Sequence, residues 1–246
     1  MSKKLAVWVE MPYQKDGLFD PKNPVNRDNC LSAFRALRER LVALGWETHT
    51  QDVYMSSGTV PDSTLFLEVP SRPLERVLGG WRSRTKTIVL LSECAVIRPE
   101  NWEKNRHEQF DALLTWDKGL VDGRRYYEAH FSNNFPSSPL PSIGEKTGFC
   151  LMIAAHKSRR HPLELYSERE RAVRWFESNH PDDFDLYGGG WDRFCFSGPR
   201  LLRALNRIGP FTRFLAFPFP SYRGKVTEKR PIMRAYRFSI CYENAR

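Results

Sequence analysis

Residues 86–92 read KTIVLLS and residues 149–155 read FCLMIAA. Each is a short, nearly continuous apolar run bounded by polar residues. A half-exposed strand alternates apolar with polar side chains, so an unbroken run predicts a strand covered on both faces, as in a parallel sheet. Upstream, KLAVWVE (4–10) and STLFLEV (63–69) predict two further strands, and FDALLTWD (110–117) another. A helix is expected over about 29–44, where Leu31, Phe34, Leu37, Leu41 and Leu44 share a face. Asp28 or Asn29 can cap it, and Gly45 ends it. Downstream, SERERAVRWFES (167–178) predicts a helix with Ser167 and Glu170 at capping-box spacing. DFDLYGGGWD (183–192) reads as a strand running into a glycine turn, and TRFLAF (212–217) and YRFSICYE (236–243) as two more strands. Between the halves, FSNNFPSSPLPSIGEK (131–146) has three prolines and no periodicity, so it reads as a linker or long loop. Strand and helix alternate on both sides of it. The expected fold class is therefore α/β, with two Rossmann-like units over residues 1–145 and 147–246.

Composition narrows the partners. Hydrophobic residues make up 41% of the 246, enough for packed cores, and 38 Lys+Arg against 29 Asp+Glu leave a net charge of +9. That balance favours nucleic acid, phosphorylated ligands or an anionic membrane surface. Signatures of RNA-binding domains, zinc fingers and interleaved basic–aromatic tracts are absent, so no nucleic-acid partner is expected. Cys30, Cys94, Cys150, Cys195 and Cys241 never approach CxxC spacing. They are expected to be reduced, mostly buried thiols of a reducing compartment. The apolar part of the N-terminus is too short for a signal peptide, and no run nears the roughly 20 residues of a membrane span. The reading is a cytoplasmic chain with room for peripheral membrane contact.

Two places could carry chemistry. Glu93 directly follows TIVLLS, where open α/β sheets bind ligands, so it can serve as a general base tuned by burial. An idle loop glutamate is the alternative. AAHKSRRHPLELYSERERAV (154–173) gathers Lys157, Arg159, Arg160 and Arg169 between a strand and a helix. Arg169 falls in the first helical turn, where the dipole disfavours a cation. It makes sense there if an anion such as a diphosphate is shared with the free N–H groups. A solvated basic loop is the alternative. YGGGW (187–191) allows close backbone approach or a tight turn, and GKVTEK (224–229) lacks the ending of a P-loop.

Four blocks occur together and in order: LLSECAVIRPENWEKNRHEQFDALLTWDKGLVD (90–122), ELYSERERAVRWFE (164–177), DDFDLYGGGWD (182–192) and YRGKVTEKRPIMRAYRFSICYENA (222–245). Together they resemble the bacterial α-1,3/4-fucosyltransferases of glycosyltransferase family 10. The resemblance implies a GT-B fold, with an acceptor-side N-terminal domain and a C-terminal domain for GDP-fucose. It implies inverting transfer of L-fucose to the N-acetylglucosamine of a lactosamine-type glycan, with no obligatory metal or other cofactor. It makes Glu93 the base and sets Arg169 on the donor pyrophosphate. Glu243 and Asn244 match the family's FEN element, with the asparagine near the nucleotide. Lys157 matches a strand-end Asn-Lys position at which His156 replaces the asparagine. The family continues beyond this element with a block whose Glu and Lys grip the donor, whereas this sequence stops at Arg246. Glu228 and Lys229 precede CYEN and are not equivalent to that pair. A second expectation is therefore a catalytically incomplete fragment, retaining at most acceptor binding.

Overall fold

The computed structural model describes residues 2–130, 139–196 and 198–246. Residues 131–138 of the expected linker lie outside the described residues. In the remainder, Ile143–Glu145 form a short 3₁₀ turn closed reciprocally by Ser142 and Glu145. Contacts divide the chain into two units, Met1–Phe135 and Pro136–Arg246.

The first unit runs β1 (Lys3–Trp8), α1 (Ser32–Ala43), β2 (Trp46–Thr50), α2 (Gln51–Ser56), β3 (Ser63–Phe66), α3 (Leu74–Leu78), β4 (Lys86–Leu91), α4 (Lys104–His107), β5 (Ala112–Thr115) and β6 (Tyr126–Glu128). Its strands are parallel, in the order β2-β1-β3-β4-β5-β6. The order reverses at β1: the chain first moves out to β2, then returns across β1 to lay down β3. Beyond the carboxyl ends of β1 and β3 such sheets open a crevice. Phe66, Val69, Leu74, Val89, Leu91 and Leu113 pack on one face with Trp8 against them, while Val7 and Val9 turn to the other with Leu18, Phe19 and Leu31. β4 is less enclosed than its unbroken apolar run predicts. Thr87, Val89 and Leu91 are fully buried, and Ile88 and Leu90 only partly. Coverage depends on what packs over a strand, which its own letters do not contain.

The start of α1 also differs from expectation. Asp28 and Asn29 sit in a turn at φ of 54° and 60°, and Asn26 Oδ1 accepts the Leu31 N–H at 2.9 Å instead. β2 is a strand that composition hides: its residues are WETHT, and what it buries is Thr48 and Thr50.

The second unit runs β7 (Gly148–Ile153), α5 (Tyr166–Asn179), β8 (Phe184–Tyr187), α6 (Arg200–Ala204), α7 (Gly209–Phe214), β9 (Tyr222–Gly224), α8 (Lys229–Ala235) and β10 (Tyr236–Ile240). These strands are also parallel, in the order β10-β7-β8-β9. Here the reversal falls at β7, so the crevice lies beyond the ends of β7 and β10. Cys150, Met152, Val173, Phe184, Leu186 and Trp191 form the core.

Residues 212–217 are not a strand. They hold the end of α7 and the turn after it, because Pro210 sits in the helix's first turn and Thr212 Oγ1 donates back to Ile208 O and Gly209 O. Ser167 does not cap α5 either. Glu164 does, accepting the Tyr166 and Ser167 N–H groups at 2.6 and 3.0 Å. A glutamate reaches these donors because the chain turns sharply there, and Ser167 is already helical. Of the five free cysteines only Cys150 is buried. Cys30 and Cys241 are exposed, in a turn and just past an edge strand. The chain is α/β, built of two Rossmann-like parallel units, the content that a GT-B chain requires.

Candidate functional site

In the first unit a cavity of about 760 Å³ occupies the crevice at the β1/β3 reversal. Trp8 and Tyr13 give it aromatic surface, Trp8 being stacked on Phe66 at 5.2 Å. Glu68, Arg72, Arg76 and Arg98 line it too. Arg98 is committed to structure: its Nε and Nη2 donate to Val69 O at 3.2 and 3.0 Å.

Glu68 follows β3 by two residues and is the most perturbed carboxyl near this crevice. Burial pushes its pKa up to about 7, and the neighbouring Glu93 charge adds to the rise. The hydrogen bond from Asn101 opposes it. Glu68 Oε1 accepts from Ser92 Oγ and, at 3.1 Å, from the Glu93 N–H, and Oε2 accepts from Asn101 Nδ2. Glu68 therefore grips the loop that leaves β4. Glu93 is held from the other side as well: its carbonyl accepts from Asn101 Nδ2 and Trp102 Nε1, both at 3.1 Å. Asn101 is fully buried, and its Oδ1 accepts the Val69 N–H at 2.9 Å. The segment RPENW thus acts as a clamp, through the Asn101 and Trp102 side chains, on the backbone of Glu93. Behind it, His107 Nε2 lies 2.8 Å from Asn101 O, and Nδ1 lies 3.0 Å from the Tyr126 hydroxyl. Burial pushes the His107 pKa down, so it is a neutral strut that donates to the carbonyl and accepts from the phenol.

In the second unit, the expected residues collect around the β7/β10 reversal. Arg169 projects from the first turn of α5 and is only 6% exposed. Its Nη1 donates to Ala155 O at 3.2 Å and its Nη2 to Tyr242 O at 3.1 Å. Nε is buried without a partner, and the guanidinium lies 5.3 Å from the Tyr166 ring centre. Burial pushes its pKa down. Arg169 therefore ties together the segments that follow β7 and β10, a structural task added to any contact with an anion. Asn244 O accepts the Leu165 N–H at 3.2 Å, and Arg246 N donates to Leu163 O at 2.9 Å. The segment carrying Glu243 and Asn244 thereby runs along the entrance to α5, and Glu243 itself is exposed. Lys157 is exposed in the loop after β7. His156 has a role of its own. Its ring stacks on Trp191 at 4.5 Å and its backbone N–H donates to Gly189 O at 2.9 Å.

The three glycines make a tight turn against β7, one of the two alternatives for YGGGW. A Cβ on Gly188 would stand 1.9 Å from Ala154 O, and Trp191 Nε1 donates to the same oxygen at 2.7 Å. Arg169 thus joins the segments after β7 and β10, on which Lys157, Glu243 and Asn244 lie, and Glu93 belongs to the other unit. Sequence reasoning passed over Glu68. The rule that singled out Glu93, a carboxylate just past an apolar strand, applies equally to STLFLEV.

No family model matches the chain, and no curated protein sequence matches it. Among solved structures, it is similar to an alpha-glucosyltransferase in complex with UDP and a 13-mer DNA containing a central A:G mismatch. The TM-score is 0.47 at 8% identity, over 97% of this chain and 71% of that one. At that identity and score, the likeness says nothing of this chain's chemistry.

Proposed function

We propose that the chain is an inverting glycosyltransferase whose second unit receives GDP-fucose and whose first unit receives a lactosamine-type acceptor. The observation that carries the reading is Arg169: a buried guanidinium with an unpartnered Nε, at the amino end of a 14-residue helix and at the strand-order reversal. A diphosphate there meets the cation at the positive end of the helix dipole, while Glu164 takes up the Tyr166 and Ser167 N–H groups. The motif resemblance supplies the identity of nucleotide and sugar.

In this reading Glu93 takes the proton of the acceptor hydroxyl as that oxygen attacks the anomeric carbon of fucose. The bond from that carbon to the phosphate oxygen breaks through an oxocarbenium-like transition state. GDP leaves with the bonding electrons, and the configuration inverts. Arg169, Lys157 and the α5 N-terminus oppose the charge that grows on the diphosphate. Glu243 and Asn244 border the nucleotide.

A second reading exchanges the carboxylates. Glu68 lines the cavity and is poised at about 7, which suits a group that gains and loses a proton near neutrality.

The deciding measurement is GDP release from GDP-fucose with and without N-acetyllactosamine. Glu93→Gln is expected to lower kcat by about 10²–10⁴-fold, and Arg169→Lys by about 10²-fold. Folding is checked by thermal melts, since Arg169 also holds two carbonyls. A Glu68→Gln loss as large as that of Glu93→Gln would favour the second reading. Absence of acceptor-dependent release in the folded wild type would overturn both.

A further inference from the structure

From residue 193 to residue 227 the chain contains no aspartate or glutamate and seven arginines or lysines. Within this stretch lie α6 and α7, and their exposure is the reverse of a packed amphipathic helix. Thr212 is the buried residue of α7, whereas Phe214 is 86% exposed. Leu201 is 86% exposed and Phe217 is 71% exposed, and Leu202, Ile208 and Phe211 are exposed as well.

Polar contacts fix this inside-out arrangement. The Phe194 N–H donates to Thr212 O at 2.7 Å. Asn206 and the backbone of Phe196 exchange two hydrogen bonds, at 2.8 and 2.9 Å. Arg213 Nε lies 3.2 Å from Asp192 Oδ2. The segment is thus anchored to its own unit by polar groups and by Phe211 stacked on Phe196, while Leu201, Phe214 and Phe217 face outward. Arg200, Arg203 and Arg207 are exposed among them and have no ion pair among the described residues.

Apolar side chains interleaved with unpaired cations, and no acid, have a specific complement. A lipid surface takes the apolar groups into its acyl boundary and the arginines onto anionic headgroups. A second copy of the chain would set like charges against each other. Among the described residues no helix is long and apolar enough to cross a membrane, so contact of this kind would be peripheral. We propose that α6, α7 and the turn through Phe217 form a docking surface for anionic membranes. The proposal is independent of the donor and acceptor read above.

The test is flotation of the full chain with two vesicle compositions, phosphatidylcholine alone and phosphatidylcholine with phosphatidylglycerol. Binding is expected on the anionic vesicles at least about 10-fold above the neutral ones, and to weaken as salt is raised. The double variants Phe214→Ser/Phe217→Ser and Arg203→Glu/Arg207→Glu should each reduce it about 10-fold. Hydrogen exchange on the wild type, with and without anionic vesicles, gives a readout that needs no variant: protection should appear over residues 200–217. Equal binding to both vesicle types, no binding, or protection elsewhere would overturn the proposal. So would a concentration-dependent dimer that Phe214→Ser/Phe217→Ser abolishes.

Discussion

At the scale of single residues, the first unit turns on how two carboxylates share one small region. Glu93 was legible because it ends an apolar run. Glu68 ends one too, but its perturbed proton affinity comes from burial and from Glu93, which lies 25 residues away in sequence. A reader of one strand at a time does not see that sum. The perturbation has a stability signature. The folded pKa of Glu68 lies above the ordinary carboxylate value, so the folded state holds a proton that the unfolded chain has released. Stability contributed by this group is therefore intact below the ordinary carboxylate pKa. It falls as pH rises towards about 7, and is level above that. Glu68→Gln cannot titrate. Its melting temperature relative to wild type is expected to rise between about pH 5 and about pH 8, as followed by calorimetry. A constant difference across that window would show that Glu68 is not the titrating group.

At the scale of elements, close approach separates glycines that look alike in the sequence. Gly45 ends α1 at φ +83°, and a Cβ there meets nothing within 4 Å. Gly188 follows β8 at φ +130°, and a Cβ there collides with Ala154 O, just past the end of the neighbouring strand β7. Gly45→Ala is expected to cost about 1 kcal/mol, the conformational penalty alone. Gly188→Ala should cost about 3 kcal/mol or more, since backbone must move. Urea unfolding of the two variants reads the difference, and equal costs would mean that the GGG turn is not packed as described. The misread stretch 212–217 teaches the same lesson. Its alternating letters suit a strand, but Pro210 and the Thr212 hydroxyl settle a helix locally, and no strand offers it a partner.

At the scale of the whole molecule, the two parallel units and their reversals set where ligands can be received. In the second unit Arg169, at the α5 entrance, is bonded to the segments after β7 and β10, which are about 90 residues apart in the chain. If GDP is the nucleotide, saturating it should stabilise the folded chain by about 2.7 kcal/mol at a concentration 100 times its Kd, and thermal shift reads this directly. UDP at the same concentration should shift the melt less. Equal shifts would remove the guanine-specific part of the proposal while leaving the membrane surface untouched.

The sequence by itself determined the α/β class, the strands β1, β3, β4, β5, β7, β8 and β10, and singled out the candidate pair Glu93 and Arg169. All of these are written in local periodicity or in letters next to a strand end. Only the tertiary structure decided that Asn101 and Trp102 clamp Glu93, that Glu68 is poised near neutrality, and that Arg169 bridges two strand-end segments. It also decided that the basic, apolar stretch around α7 faces outward. Each of these depends on burial or on a hydrogen bond between residues distant in the chain, and pairwise proximity of that kind leaves no period for a sequence to display.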